Sequence, residues 1–145
     1  MKKQIVIATH ASLADGFKDA LGFFTGSLEN VHTVCAFTEK KNPQSELEKL
    51  FESFATDDLV IVFSDLEGGS VNKMLVKMLK VKKFHLITGL NLGMLLELAL
   101  CDASEIDEGK IREVIKMANS QSYYVNDRIK ELEEKKDNQD DFFSR

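Results

Sequence analysis

Tryptophan is absent from this chain, proline occurs once, and cysteine only twice. With a single proline and no internal repeat, no linker divides the 145 residues, a length that suits one α/β domain. Cys35 and Cys101 lie inside apolar segments without metal-ligand spacing, so they read as buried free thiols and exclude a disulfide scaffold. A basic excess is also missing. The formal net charge is −5, which argues against a nucleic-acid binder. No apolar run reaches the roughly 18–20 residues that span a bilayer. The opening MKKQIVIATH has two lysines, but its apolar run is short and ends at His10, so it does not read as a signal sequence. A cytoplasmic protein is expected. What the chain does have is 43% apolar residues, enough for a sizeable core, and 30% charged residues for its surface.

Short β-branched runs alternate with helical patterns four times. Strands are expected at Lys3 to Ala8, Val31 to Phe37, Leu59 to Ser64 and Phe84 to Thr88. The helix after the first strand places Leu13, Phe17, Leu21 and Phe24 on one face, with Gly26 as its stop. Asn42-Pro43 opens a second helix carrying Leu47, Leu50, Phe51 and Phe54. Gly68-Gly69-Ser70 opens a third with Val71, Met74, Leu75, Met78 and Leu79. A nearly all-apolar fourth spans Leu92 to Leu100. Strands apolar throughout, interleaved with helices, predict an open, doubly wound, mostly parallel sheet in the order 2-1-3-4, with helices on both faces. A further helix is expected from Asp107 to Asn119. Tyr123-Tyr124-Val125 is either a short strand or a helix continuation. Val125 to Lys136 reads as a charged helix, and Asp137 to Arg145 as a frayed acidic tail.

Ligands of such sheets bind beyond the carboxyl ends of the strands, where strand order reverses. In the order 2-1-3-4, strands one and three meet there, which brings Thr9-His10-Ala11-Ser12 opposite Asp65-Leu66-Glu67-Gly68-Gly69-Ser70. A carboxylate hydrogen-bonded to one imidazole N–H fixes the tautomer and leaves the other nitrogen able to attack. Glycines at a helix start let backbone N–H groups approach an anion. Taken singly, His10, Asp65 and Gly-Gly-Ser are also ordinary caps and turns; together they predict a phosphoryl site. Without the Lys-Ser/Thr of a P-loop, ATP binding is not expected. His32, at the opposite end of its strand, and His85, flanked by Phe84 and Leu86, read as structural. Lys77, Lys80, Lys82 and Lys83 read as a solvated rim, and the run Glu131 to Asp141 as a solvated helix end.

Three segments carry a resemblance: Ile7-Ala8-Thr9-His10-Ala11, Phe63-Ser64-Asp65-Leu66-Glu67-Gly68-Gly69-Ser70-Val71-Asn72, and Thr88-Gly89-Leu90-Asn91-Leu92-Gly93-Met94-Leu95. In this order and spacing the chain resembles the enzyme IIA domain of the mannose family of the bacterial sugar phosphotransferase system, over roughly residues 1–130, with 131–145 as a charged helix end and tail. The resemblance implies a phosphotransferase with a phosphohistidine at His10, held by Asp65, and a phosphate cradle from Thr9, Gly68, Gly69 and Ser70. Neither cofactor nor metal is implied. It implies HPr as donor, a separate IIB component as acceptor, and the membrane subunits IIC and IID as indirect partners. It further implies a homodimer that exchanges a strand near the C-terminus, for which Tyr123 to Val125 is the candidate. The chain departs from the family pattern at Glu67, where an aromatic residue is common, and at Val71 and Gly93, where proline is common. Two other assignments stand beside this one: the phosphotransfer subunit of a dihydroxyacetone kinase, and a non-catalytic regulatory module of the same fold. A response-regulator receiver would need an acidic cluster after strand one, where this chain has Thr9-His10.

Overall fold

A computed structural model describes residues 1–38 and 42–143. Its four strands, β1 (Lys3–His10), β2 (Val31–Ala36), β3 (Leu59–Ser64) and β4 (His85–Thr88), form one parallel sheet in the order β2-β1-β3-β4. The expected order therefore holds. Crossovers are made by α1 (Leu13–Thr25), α2 (Pro43–Glu52) and α3 (Ser70–Met78). After β4 come α4 (Leu92–Leu100), a 3-10 turn at Ala103–Glu105, α5 (Glu108–Asn119) and α6 (Val125–Phe143).

The period-two alternation of strand side chains sorts the core into two layers. Ile5 and Ile7 of β1 and Ile61 and Phe63 of β3 pack under α1, α4 and α5, against Leu21, Leu95, Leu98 and Val114. Val6 and Ala8 of β1 and Val62 of β3 face the other way, onto Leu47 of α2 and Val71 and Leu75 of α3. With both faces covered, every residue from Ile5 to Ala8 is buried, which is why these strands read as unbroken apolar runs.

Local chemistry sets the ends. Asn42 caps α2 by accepting from the N–H groups of Gln44 and Ser45, with Pro43 at the first helical position. The side chain of Asn91 caps α4 through Met94 N–H at 2.9 Å. The C-terminal carbonyls of α4 are satisfied from β1: Lys3 Nζ donates to Leu98 and Ala99 at 3.1 and 2.7 Å, and also to Cys101. Burial pulls the Lys3 amine below its ordinary pKa, opposed by Cys101 and Asp102.

Several expected details differ. The apolar face of α1 is Ala14, Phe17 and Leu21, whereas Leu13 and Phe24 are 47% and 61% exposed. The small Ala14 lets the helix close on the sheet, and its N–H is held by Thr9, which fixes that roll. Tyr123 and Tyr124 belong to no strand, and Val125 begins α6. That helix continues through the segment expected to fray, as far as Phe143, and the last two residues of the expected tail lie outside the described residues.

Candidate active site

Strand alternation and the parallel register place the site. β1 extends to His10 rather than ending at Ala8, so Thr9 and His10 are strand residues on opposite faces. Thr9 points to the α1 side, is fully buried, and accepts from Ala14 N–H at 2.8 Å. Its hydroxyl is thus a helix cap, and the structure does not bring it into the expected cradle. His10 points to the α3 side. Ala8 pairs with Ser64 in the ladder, so β1 and β3 deliver His10 and Asp65 side by side at their carboxyl ends.

Asp65 grips His10 twice. One carboxylate oxygen, Oδ2, accepts the His10 backbone N–H at 2.9 Å and lies 3.0 Å from Nδ1; Oδ1 lies 3.2 Å from the same nitrogen. An ionised carboxylate only accepts, so Nδ1 carries the hydrogen and Nε2 the lone pair. Nε2 lies 3.2 Å from Ser70 Oγ, whose hydroxyl donates to it. Burial tends to raise the pKa of Asp65, but the hydrogen bonds from the His10 backbone and ring, with the ring's charge, outweigh it and hold the carboxyl below its ordinary value. That group is consequently a fixed anion at neutral pH. The side chain of Asp65 is 8% exposed and that of His10 33%, so the carboxylate is shielded while the ring edge reaches solvent.

The segment between β3 and α3 shapes the other wall. Gly68 has φ of +71°, a left-handed turn that suits glycine. Gly69 packs against the imidazole so closely that a Cβ there would sit 3.0 Å from His10 Cε1. Gly69 is also the N-cap of α3, without a side-chain cap. The first intrahelical bond runs from Lys73 N–H to the Gly69 carbonyl at 2.9 Å. The N–H groups of Ser70, Val71 and Asn72 therefore point out of the helix start, an arrangement suited to an anion. Ser64, fully buried, donates from Oγ to Asn72 Oδ1 at 3.0 Å, tying the end of β3 to the first turn of α3.

Two departures from the family pattern fall in the loop before α3 and in its first turn. Glu67 is exposed, and Val71 is 1% exposed, in the core beneath α3. His32 lies outside the site: its Nε2–H donates to Gln4 Oε1 at 2.8 Å and its ring packs on Phe54. His85 is half-buried in β4. Lys77, Lys80 and Lys83 are exposed, whereas Lys82 lies 6.0 Å over the Phe51 ring. Among the described residues no group of three or more His, Cys, Asp or Glu could hold a metal, and no helix is long and apolar enough to cross a membrane. Sequence reasoning missed Phe37. Its ring stacks on His10, and the available signal was an aromatic residue directly after the strand that neighbours β1.

A four-strand parallel sheet in the order 2-1-3-4, covered by helices on both faces, is a fold shared with IIA proteins of the sugar phosphotransferase system. Residues 4–118 match the family EIIA-man, described as "PTS system fructose IIA component", and the chain belongs to that family, the mannose-type IIA components of the phosphotransferase system. It is similar to the sorbose-specific EIIA component of Lacticaseibacillus casei, 31% identical over 100 residues, spanning 67% of this chain and 72% of that one. Among solved structures it resembles a phosphoenolpyruvate-dependent sugar phosphotransferase system protein from Klebsiella pneumoniae, with a TM-score of 0.80 and 32% identity over 89% of this chain and 95% of that one. The mannose/sorbose-specific IIA subunit from Enterococcus faecalis shares the fold, with a TM-score of 0.72 at 20% identity over 86% and 95% of the two chains.

Proposed function

We propose that this chain accepts a phosphoryl group on His10 Nε2 from phospho-HPr and passes it to a IIB component during coupled sugar uptake and phosphorylation. The observation that carries this is the double grip of Asp65 on the backbone N–H and Nδ1 of His10, which leaves Nε2 as the attacking atom at the exposed edge. In the forward step the Nε2 lone pair attacks phosphorus in line. The new N–P bond forms as the donor's N–P bond breaks, and the donor imidazole leaves with that electron pair. Charge gathers on the His10 ring, where the Asp65 carboxylate offsets it, and stays on the phosphoryl oxygens, where Ser70 and the N–H groups at the start of α3 receive it. The Ser70 hydroxyl, which donates to Nε2 at rest, turns to a phosphoryl oxygen once Nε2 is occupied. Within this proposal the cradle is Gly68, Gly69 and Ser70, without the Thr9 side chain. Transfer onward to IIB is the same displacement in reverse.

IIC and IID, the membrane subunits, enter only through IIB. A homodimer is part of the same proposal, supported by the exposed apolar row Val125, Ile129 and Leu132 on α6. The test is to incubate the protein with phosphoenolpyruvate, enzyme I and HPr. One acid-labile phosphoryl group per chain is expected, and none on His10→Ala. Failure of the natural sequence to take label, with HPr shown to be phosphorylated, ends the proposal.

A further inference from the structure

The rings of Phe37 and His10 are stacked, with centroids 5.8 Å apart and planes inclined by 27°. The sheet brings them together: Ala36, the last residue of β2, pairs with His10, and Ala11 N–H donates to the Ala36 carbonyl at 2.9 Å. Phe37 then leaves the strand with φ of +66°, a conformation disfavoured for a bulky side chain. Thr38 holds this exit by donating from Oγ1 to the Cys35 carbonyl at 2.8 Å. Core packing does not explain the conformation, because Phe37 is 67% exposed. A strained backbone that sets an exposed ring against a reactive imidazole is a pattern found at functional sites.

We propose that Phe37 is a positioning residue for phosphoryl transfer at His10, its ring covering one face of the imidazole so that Nε2 stays aimed at the start of α3 and the phosphorylated ring is screened from water. This rests on the phosphocarrier assignment above. Asp65 fixes the Nδ1 edge, but an edge contact alone permits the ring to tilt about it. A stacked contact on the ring face removes that freedom. Gly69 bounds the imidazole at Cε1, so Phe37 and Gly69 together define a slot. Screening also bears on the loss reaction, in which water attacks phosphorus, the N–P bond breaks with its electrons returning to Nε2, and inorganic phosphate leaves. An apolar ring beside that bond lowers the local supply of water.

The test uses the full chain with Phe37→Ala, Phe37→Leu and Phe37→Tyr. Three readouts are needed: uptake rate against phospho-HPr concentration, half-life of the isolated phosphoprotein, and chemical shifts of the His10 ring protons. Phe37→Ala and Phe37→Leu are expected to slow uptake at saturating donor by about three- to tenfold, the range an aromatic contact supplies. The half-life of their phosphoprotein shortens by a similar factor, and the ring-current shift of His10 disappears. Phe37→Tyr restores all three. Phe37→Leu keeps apolar bulk, so it decides the matter should Phe37→Ala fold poorly. Natural rate and half-life in Phe37→Leu would overturn the proposal, as would an effect confined to the donor concentration needed for half-saturation, which marks a docking contact. Absence of label on the natural sequence overturns the phosphocarrier assignment and this proposal with it, whereas label with unchanged variants overturns this proposal alone.

Discussion

Gly69 carries a constraint stated in a single distance. Its missing side chain leaves room for His10 Cε1, and an added Cβ would also lie 3.3 Å from the Leu66 carbonyl oxygen. The carbonyl belongs to the loop backbone, so relief must come from the imidazole. Gly69→Ala is therefore expected to fold with a stability loss of about 1 kcal/mol or less, since its φ of −68° suits alanine. It should nonetheless slow phosphoryl uptake by about tenfold or more, as reactive groups tolerate little displacement. A thermal melt beside the uptake assay separates the two, and an uptake rate equal to the natural protein's refutes the constraint. At this scale His10, Asp65 and Gly69 were legible because each combines a chemical type with a loop position that the sheet order makes convergent. Thr9 and Phe37 were not. Their orientation depends on β1 ending at His10 and β2 at Ala36. A side chain keeps the alternating direction of the sheet only while its strand continues, so the residue at which each strand ends decides where these two point.

Among elements, the N-terminal ends of β1 and β2 hold a polar chain that the sequence does not announce. His32 on β2 donates to Gln4 on β1, and Gln4 Nε2 donates to Asp58 Oδ2 at 3.1 Å just before β3. Asp58 also accepts the backbone N–H of Lys2 and of Ala55, and these bonds, with that of Gln4, hold its carboxyl below the ordinary range. Burial lowers the pKa of His32, with the charge of Lys18 adding to the effect. In the window between that lowered value and the unfolded value of about 6.5, the unfolded chain binds a proton that the folded chain refuses. Stability from this site is thus complete above the window and falls as pH drops through it. Melting curves between pH 8 and pH 5 should show the natural protein losing more stability than His32→Gln, which keeps a donor for Gln4 but does not titrate. Parallel curves would show that His32 contributes nothing to the acid side. The four strands and first five helices were legible because each apolar pattern reports a buried face. The roll of α1 was not, because Leu13 and Phe24 satisfy the same spacing as Ala14, Phe17 and Leu21, and only the contact with Thr9 chooses between them.

For the molecule as a whole, the two-layer core is complete before α6 begins. Buried residues run from Gln4 to Ala118, and every described side chain from Asn119 to Gln139 is exposed. α6 is charged along most of its length and carries its apolar row Val125, Ile129 and Leu132 at 53%, 49% and 59% exposure. Its sequence reads as a helix from the spacing of that row, but its extension to Phe143 could not be read, since no packed face marks the end. A helix that buries nothing adds little to the stability of the fold it leaves. At protein concentrations too dilute for chains to pair, ending the chain after Ser122 should therefore shift the free energy of unfolding by less than about 1 kcal/mol and leave phosphoryl uptake on His10 unchanged. If the apolar row is the dimer contact, the same truncation lowers the molar mass in solution from two chains to one, a change that sedimentation equilibrium reads directly. A large fall in melting temperature, with the mass unchanged, would instead place α6 against the body of its own domain.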